Sequence, residues 1–84
     1  MTAHDLKTWP EPFRAVLAGK KKHEVRFNDR AFQVGDTLHM REWDPTTKQY
    51  TGRDCKSVVT YLTEGGTFGL PARVCVMSIR KEIR

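Results

Sequence analysis

Gly19-Lys20-Lys21-Lys22-His23-Glu24-Val25-Arg26 is the stretch on which the reading of this 84-residue chain turns. Upstream of it, Phe13, Val16 and Leu17 recur at helical spacing behind Pro10 and Pro12, which suit the first turn of a helix. Thr8 is the candidate cap, Glu11 complements the positive end of the helix dipole, and Gly19 stands where a left-handed C-terminal residue belongs. Lys20 and Lys22 are then ordinary charge at a helix end, where cations are stabilising in any protein. From Lys22 to Phe27 the pattern changes to strand alternation, with Val25 and Phe27 on one face and Glu24 and Arg26 on the other. The expectation is one face packed on the core and a second face presenting an acid beside a base.

Downstream, the Asn28-Asp29 turn ends that strand, Phe32 and Val34 mark a short extended piece, and Gly35-Asp36 turns the chain again. Thr37 to Trp43 alternates, with Leu38 and Met40 opposite Thr37, His39 and Arg41. After the Asp44-Pro45-Thr46-Thr47 turn, a long strand runs from Tyr50 through Val58, Val59, Tyr61 and Leu62, so these two strands form an antiparallel hairpin. Gly65 to Pro71 reads as the loosest segment, Val74, Val76 and Ile79 supply the last strand, and the basic residues 80–84 form a tail expected to fray. One helix and several strands give an α+β, mainly β fold. The architecture expected is a small antiparallel β-barrel, a single domain over residues 1–84, with the helix beside an open end.

Composition narrows the class. Two Trp, two Tyr and four Phe along the chain argue against disorder. No apolar run approaches the roughly 20 residues that span a bilayer, and Met1 opens no basic-then-apolar leader, so a cytoplasmic protein without membrane contact is expected. The net charge of +5 favours polyanionic partners, above all nucleic acid. Cys55 and Cys75 form no Cys-x-x-Cys motif and read as buried free thiols. His4, His23 and His39 stand singly, so neither a metal site nor a cofactor is expected. There is no Walker loop, serine triad or dinucleotide fingerprint.

The spacing Gly19-x-Lys21-x-x-Glu24-x-Arg26 after a helix resembles the signature of the ASCH family within the PUA-like superfold. The likeness extends through His4-Asp5-Leu6-Lys7, Asn28-Asp29-Arg30, Phe32-Gln33-Val34-Gly35-Asp36, Glu42-Trp43-Asp44-Pro45, Tyr50-Thr51-Gly52-Arg53 and Gly65-Gly66-Thr67-Phe68-Gly69-Leu70. These stretches look like a short bacterial and phage branch, catalogued mainly as a domain of unknown function. The match runs from His4 to about Ile79 and departs at Arg73-Val74, where a Gly-Tyr-like pair is expected. The resemblance implies a PUA-like ASCH-type β-barrel with a cleft beside the helix, and RNA as partner. A few small relatives of the family are amidohydrolases acting on acylated cytidine, or ribonuclease-like. In the amidohydrolases a threonine stands where this chain has Glu24, and a carboxylate cannot replace a hydroxyl nucleophile.

The candidate binding residues for RNA or a nucleotide are Lys21, Glu24, Arg26, Arg30, Tyr50, Arg53 and Phe68. Lys21 and Arg26 suit phosphate, Glu24 suits an orienting partner, and a structural salt bridge competes with both roles. Tyr50 near Lys48 and Arg53 suits stacking on an unpaired base, whereas Trp43 reads as a core residue. Phe68 in the glycine loop suits a lid. Whether the chain is an enzyme stays open: as a small hydrolase it would use Lys21 and Glu24 on a modified nucleoside or single-stranded RNA. A third reading is a phage-type effector that binds a protein partner. Sequence leaves the oligomeric state open.

Overall fold

Every second side chain is buried along β1 (Ala3–Thr8), where His4, Leu6 and Thr8 face inward. The same alternation in β3 (Thr37–Asp44) buries Leu38, Met40 and Glu42. With β2 (His23–Phe27), β4 (Gln49–Thr63) and β5 (Val74–Lys81) they form one sheet in the order β1-β3-β4-β5-β2 in the computed structural model, which describes residues 1–82. Strand makes up 51% of the structure, and the sheet curls into a half-barrel beside one short helix, α1 (Pro10–Leu17). Phe13 and Val16 of α1 meet Leu6, Leu38, Met40, Val59, Cys75, Met77 and others in the hollow of that curl. Cys55 and Cys75 are both buried free thiols.

The hairpin of β3 and β4 is antiparallel, as are β4 with β5 and β5 with β2. β1 departs from the all-antiparallel expectation and runs parallel to β3, Ala3 opposite Thr37 through Thr8 opposite Glu42. Between those strands the chain passes through α1 and β2, and such a long crossover is what parallel pairing requires. β1 and β2 are consequently the two edges of the sheet. Arginine side chains reach across this seam. Arg26 Nη2 donates to the Lys7 carbonyl at 2.9 Å, and Arg30 Nη1 donates to the Asp5 carbonyl at 2.5 Å. They satisfy part of an open strand edge that would otherwise be a template for further pairing.

The helix matches its expected span, but its N-cap is Trp9, which makes no side-chain capping bond; Thr8 is buried and donates to the Leu6 carbonyl instead. At the other end Gly19 takes φ +75°, and the amides of Gly19 and Lys20 donate to the Val16 and Ala15 carbonyls. These are the two bonds of a Schellman turn, which hands the chain directly to Lys21. Lys81 Nζ donates to the Leu17 carbonyl at 2.7 Å. Arg80 and Lys81 are thus the end of β5 rather than a frayed tail, while Ile83 and Arg84 lie outside the described residues.

Two further expectations change. Phe32 and Val34 do not form a strand; Phe32 is buried edge-to-face on His4, and a turn follows. His4 Nε2 in turn lies 2.9 Å from Asp36, whose carboxylate also accepts the Thr2 and Gln33 amides. Burial pushes the Asp36 carboxyl upward, but those amides and His4 outweigh it and hold the group below its ordinary range. The glycine loop is tighter than its composition suggests. Gly66 N–H donates to the Leu70 carbonyl, Leu70 N–H to the Thr67 carbonyl, and a Cβ on Gly65 would lie 2.3 Å from the Pro71 oxygen. Only glycine fits there.

Candidate functional site

The faces of β2 are the reverse of the expected ones. Val25 and Phe27 are 53% and 67% exposed on the outer face, while Glu24 is buried to 6% and Arg26 is half-buried. The inner side of this edge strand looks toward β1, where Glu24 meets two cations and Arg26 reaches the Lys7 carbonyl. Lys21 Nζ lies 2.7 Å from Glu24 Oε1, and Arg26 Nε lies 2.6 Å from Glu24 Oε2. Lys21 also donates to the His23 carbonyl at 2.7 Å. One carboxylate is therefore held by two cations, each fixed by a backbone carbonyl as well.

This triad faces a cleft of about 620 Å³ between the end of β1, the start of α1 and β2. Lys7, Trp9 and Pro12 line one side, and Phe27 lines it from β2. Trp9 is 57% exposed, so a large part of its indole is open to solvent. An ammonium has three protons to donate and a guanidinium five, so Lys21 and Arg26 keep donors beyond those used on Glu24 and the carbonyls. The local charge of the triad is one cation in excess. Such a cleft can receive an anion beside an aromatic wall.

A second buried glutamate behaves differently. Glu42, on β3, accepts Arg53 Nε at 2.9 Å and Nη2 at 3.0 Å, and the Thr51 hydroxyl at 2.7 Å. The Arg53 guanidinium lies 5.2 Å from the Phe13 ring centre, so the pair sits against α1. Arg53, followed by Thr51, holds the Glu42 carboxyl below its ordinary range. This is a bidentate structural pair that balances its own charge.

On the outer face of β1, β3 and β4, Lys7 Nζ lies 4.3 Å over the Trp43 ring and the Arg41 guanidinium 4.1 Å over Tyr50. His39 bridges two carboxylates, Asp5 at 3.0 Å from Nδ1 and Asp54 at 2.5 Å from Nε2. The Asp54 contact, with Asp5 adding to it against the cost of burial, raises the His39 pKa.

The residues expected to form one site thus fall into separate places. Lys21, Glu24 and Arg26 converge on the cleft, and Arg30 stands at the seam beside it. Tyr50 and Arg53 line a separate hollow on the β1–β3–β4 side. Phe68 is 93% exposed in its loop and does not line the Lys21 cleft. Trp43, read as core, lies half-buried under Lys7. Sequence reasoning missed Trp9, Lys7, Phe27 and the pairing of Glu42. For Trp9 a signal existed: an aromatic residue stands at an N-cap where Ser, Thr, Asp or Asn is favoured. For Glu42 the signal was weaker, a charged residue at an inward position of an alternating strand.

Among the described residues no group of three His, Cys, Asp or Glu side chains is placed to hold a metal ion, and no helix is long and apolar enough to cross a membrane.

Residues 3–79 match the model of a domain of unknown function, DUF3850, and the chain belongs to that family. It is also similar to an uncharacterized 12.9 kDa protein in the GpA 3′ region of Escherichia phage P2, at 38% identity over 61 residues. That alignment covers 73% of this chain and 54% of the phage protein, so the chain spans about half the length of the curated relative it matches.

Proposed function

We propose that this domain is a PUA-like, ASCH-type module that binds single-stranded or looped RNA, or a nucleotide, in the cleft between β1 and β2. The observation that carries the reading is the triad: Lys21 and Arg26 are both within 2.7 Å of Glu24, with one cation in excess and an exposed Trp9 on the same cleft. In this reading the phosphate meets the remaining protons of Lys21 and Arg26, and a base stacks on Trp9. Glu24 orients the two cations. The net charge of +5 adds long-range attraction. The curled, mainly β fold and the family's phage relative are compatible with such a module.

The binding reading is preferred over the hydrolase one because Lys21 and Arg26 each hold one Glu24 oxygen, an arrangement that suits a carboxylate orienting two cations. Fluorescence anisotropy of a labelled single-stranded RNA tests the proposal. Binding is expected at low salt, weakening as salt rises, and strongly reduced in Lys21→Ala and Arg26→Ala proteins whose circular dichroism is unchanged. Absence of binding by the wild-type protein at low salt refutes it. Conversion of the RNA or of acylated cytidine, read by chromatography, would favour the hydrolase instead.

A further inference from the structure

The cleft is not the end of the cationic and aromatic surface. Lys7 lines the cleft, yet its ammonium rests over Trp43 on the outer face. In the parallel β1–β3 ladder Lys7 is the register partner of Arg41, and in the β3–β4 ladder Trp43 is the partner of Tyr50. Arg41 stacks on Tyr50, and both line a hollow of about 340 Å³ with Arg53 and His39. Neighbouring strands are about 4.8 Å apart, so the step from Lys7 on β1 to Tyr50 on β4 crosses two strand spacings, roughly 10 Å. The rings of Trp43 and Tyr50, each covered by a cation, thus lie side by side on one route out of the cleft.

We infer that this route is a second subsite, so that the ligand is a single strand of several nucleotides, running from the Lys21 cleft past Lys7 and Trp43 to the Arg41–Tyr50 stack. The inference rests on the cleft's binding a nucleic acid. Stacked guanidinium and ring planes are the usual receptors for unpaired bases, and cations beside them take the phosphates. Gly52, at the wall of the hollow, has nothing within 4 Å of where a Cβ would lie, so the backbone there can be approached closely. The two carboxylates in the hollow, Asp5 and Asp54, are the repulsive elements. Both are turned on His39, which lies between them at hydrogen-bond distance and so holds them away from an incoming phosphate. Arg53 is likewise committed to Glu42 and acts as a wall. Arg41 is therefore the cation expected to meet phosphate.

The test compares a labelled uridine dinucleotide with the octanucleotide on wild-type, Arg41→Gln and Tyr50→Ala proteins, each checked for thermal unfolding. The octanucleotide is expected to bind at least about tenfold more tightly than the dinucleotide, with contacts beyond the first two nucleotides supplying the gain. Arg41→Gln is expected to reduce octanucleotide affinity about fivefold and to lower the magnitude of its log–log salt slope by about 0.7, one phosphate contact on a single strand. Dinucleotide binding is expected to be unchanged by either substitution. Equal affinity for the two lengths, or octanucleotide binding indifferent to both substitutions in folded proteins, overturns the second subsite and leaves the cleft reading intact. Failure of both oligomers to bind wild-type protein overturns the cleft reading, and the subsite with it.

Discussion

Two buried glutamates in this domain are each gripped by an arginine, and their surroundings differ. Glu42 and Arg53 form a bidentate pair with a supporting threonine hydroxyl against Phe13, one carboxylate hydrogen-bonded to one cation, with Arg14 acting on it only at longer range. Glu24 is held by an arginine and a lysine, two positive charges against one, at the floor of an open cleft. A pair that only secures a fold needs no surplus charge. The surplus cation, the cleft and the exposed indole are the features on which the proposed receptor role of Glu24's surroundings rests, against a brace at Glu42.

The largest effect is expected at the brace. Glu42→Ala removes a buried carboxylate from its arginine and should cost about 2–3 kcal/mol in urea denaturation, below the 3–5 kcal/mol of fully buried pairs because Arg53 can turn to water. Its RNA affinity in the cleft should not change. A stability loss no greater than for an ordinary surface residue would erase the distinction between the two glutamates.

Acid sharpens the same point. The folded Glu42 carboxyl titrates below its ordinary value, so its stabilisation is present above the unfolded value of about 4.3 and lost as pH falls through the lower folded one. The stability gap between wild type and Glu42→Gln should therefore narrow under acid. A gap that stays constant through the acid limb would contradict the ion pair.

At the proposed receptor the order reverses. Lys21→Ala should weaken single-stranded RNA binding about tenfold, or 1.4 kcal/mol, while changing stability by less than about 1 kcal/mol, since Lys21 is partly exposed. A variant that loses stability and keeps its affinity would make Lys21 another brace.

Much of this was legible in the residues. The helix from Pro10, the Gly19 stop and the β3–β4 hairpin rest on local rules of cap chemistry, turn residues and periodicity, whereas the Lys21–Glu24–Arg26 grouping was singled out by its resemblance to a family motif. What local rules could not give was long-range pairing. The parallel match of β1 with β3 leaves β2 as an edge, and that edge turns Val25 and Phe27 outward and Glu24 inward. Alternation shows that two faces differ, without showing which is inside. The same gap hid the union of Asp5, His39 and Asp54 from three strands, and the division of Tyr50 and Arg53 from the cleft.

His39 gives a smaller, opposite pH signature. Its folded pKa is raised, so its stabilisation is full below the unfolded value of about 6.5 and disappears as pH rises through the folded value. Asp54→Asn should bring the imidazole titration, followed by NMR, back toward the ordinary range and cost roughly 0.5–1 kcal/mol at pH values where His39 is charged. An unmoved titration would show that Asp54 does not hold the proton. The smallest effect is at Ser57, whose buried hydroxyl has no hydrogen-bond partner among the described residues. Ser57→Ala should leave stability unchanged or raise it by less than about 1 kcal/mol, whereas a clear loss in thermal unfolding would mean that the hydroxyl is engaged.

The most direct measurement is a backbone-amide NMR titration of the wild-type protein with a uridine dinucleotide, short enough to occupy the cleft alone. The expected result is saturable shifts largest at Lys7, Trp9, Lys21, Glu24 and Arg26, with Thr51 and Arg53, the partners of Glu42, unmoved. Shifts centred on Glu42, or no shifts at millimolar dinucleotide in low salt, would contradict the assignment of the Lys21–Glu24–Arg26 cleft as the receptor.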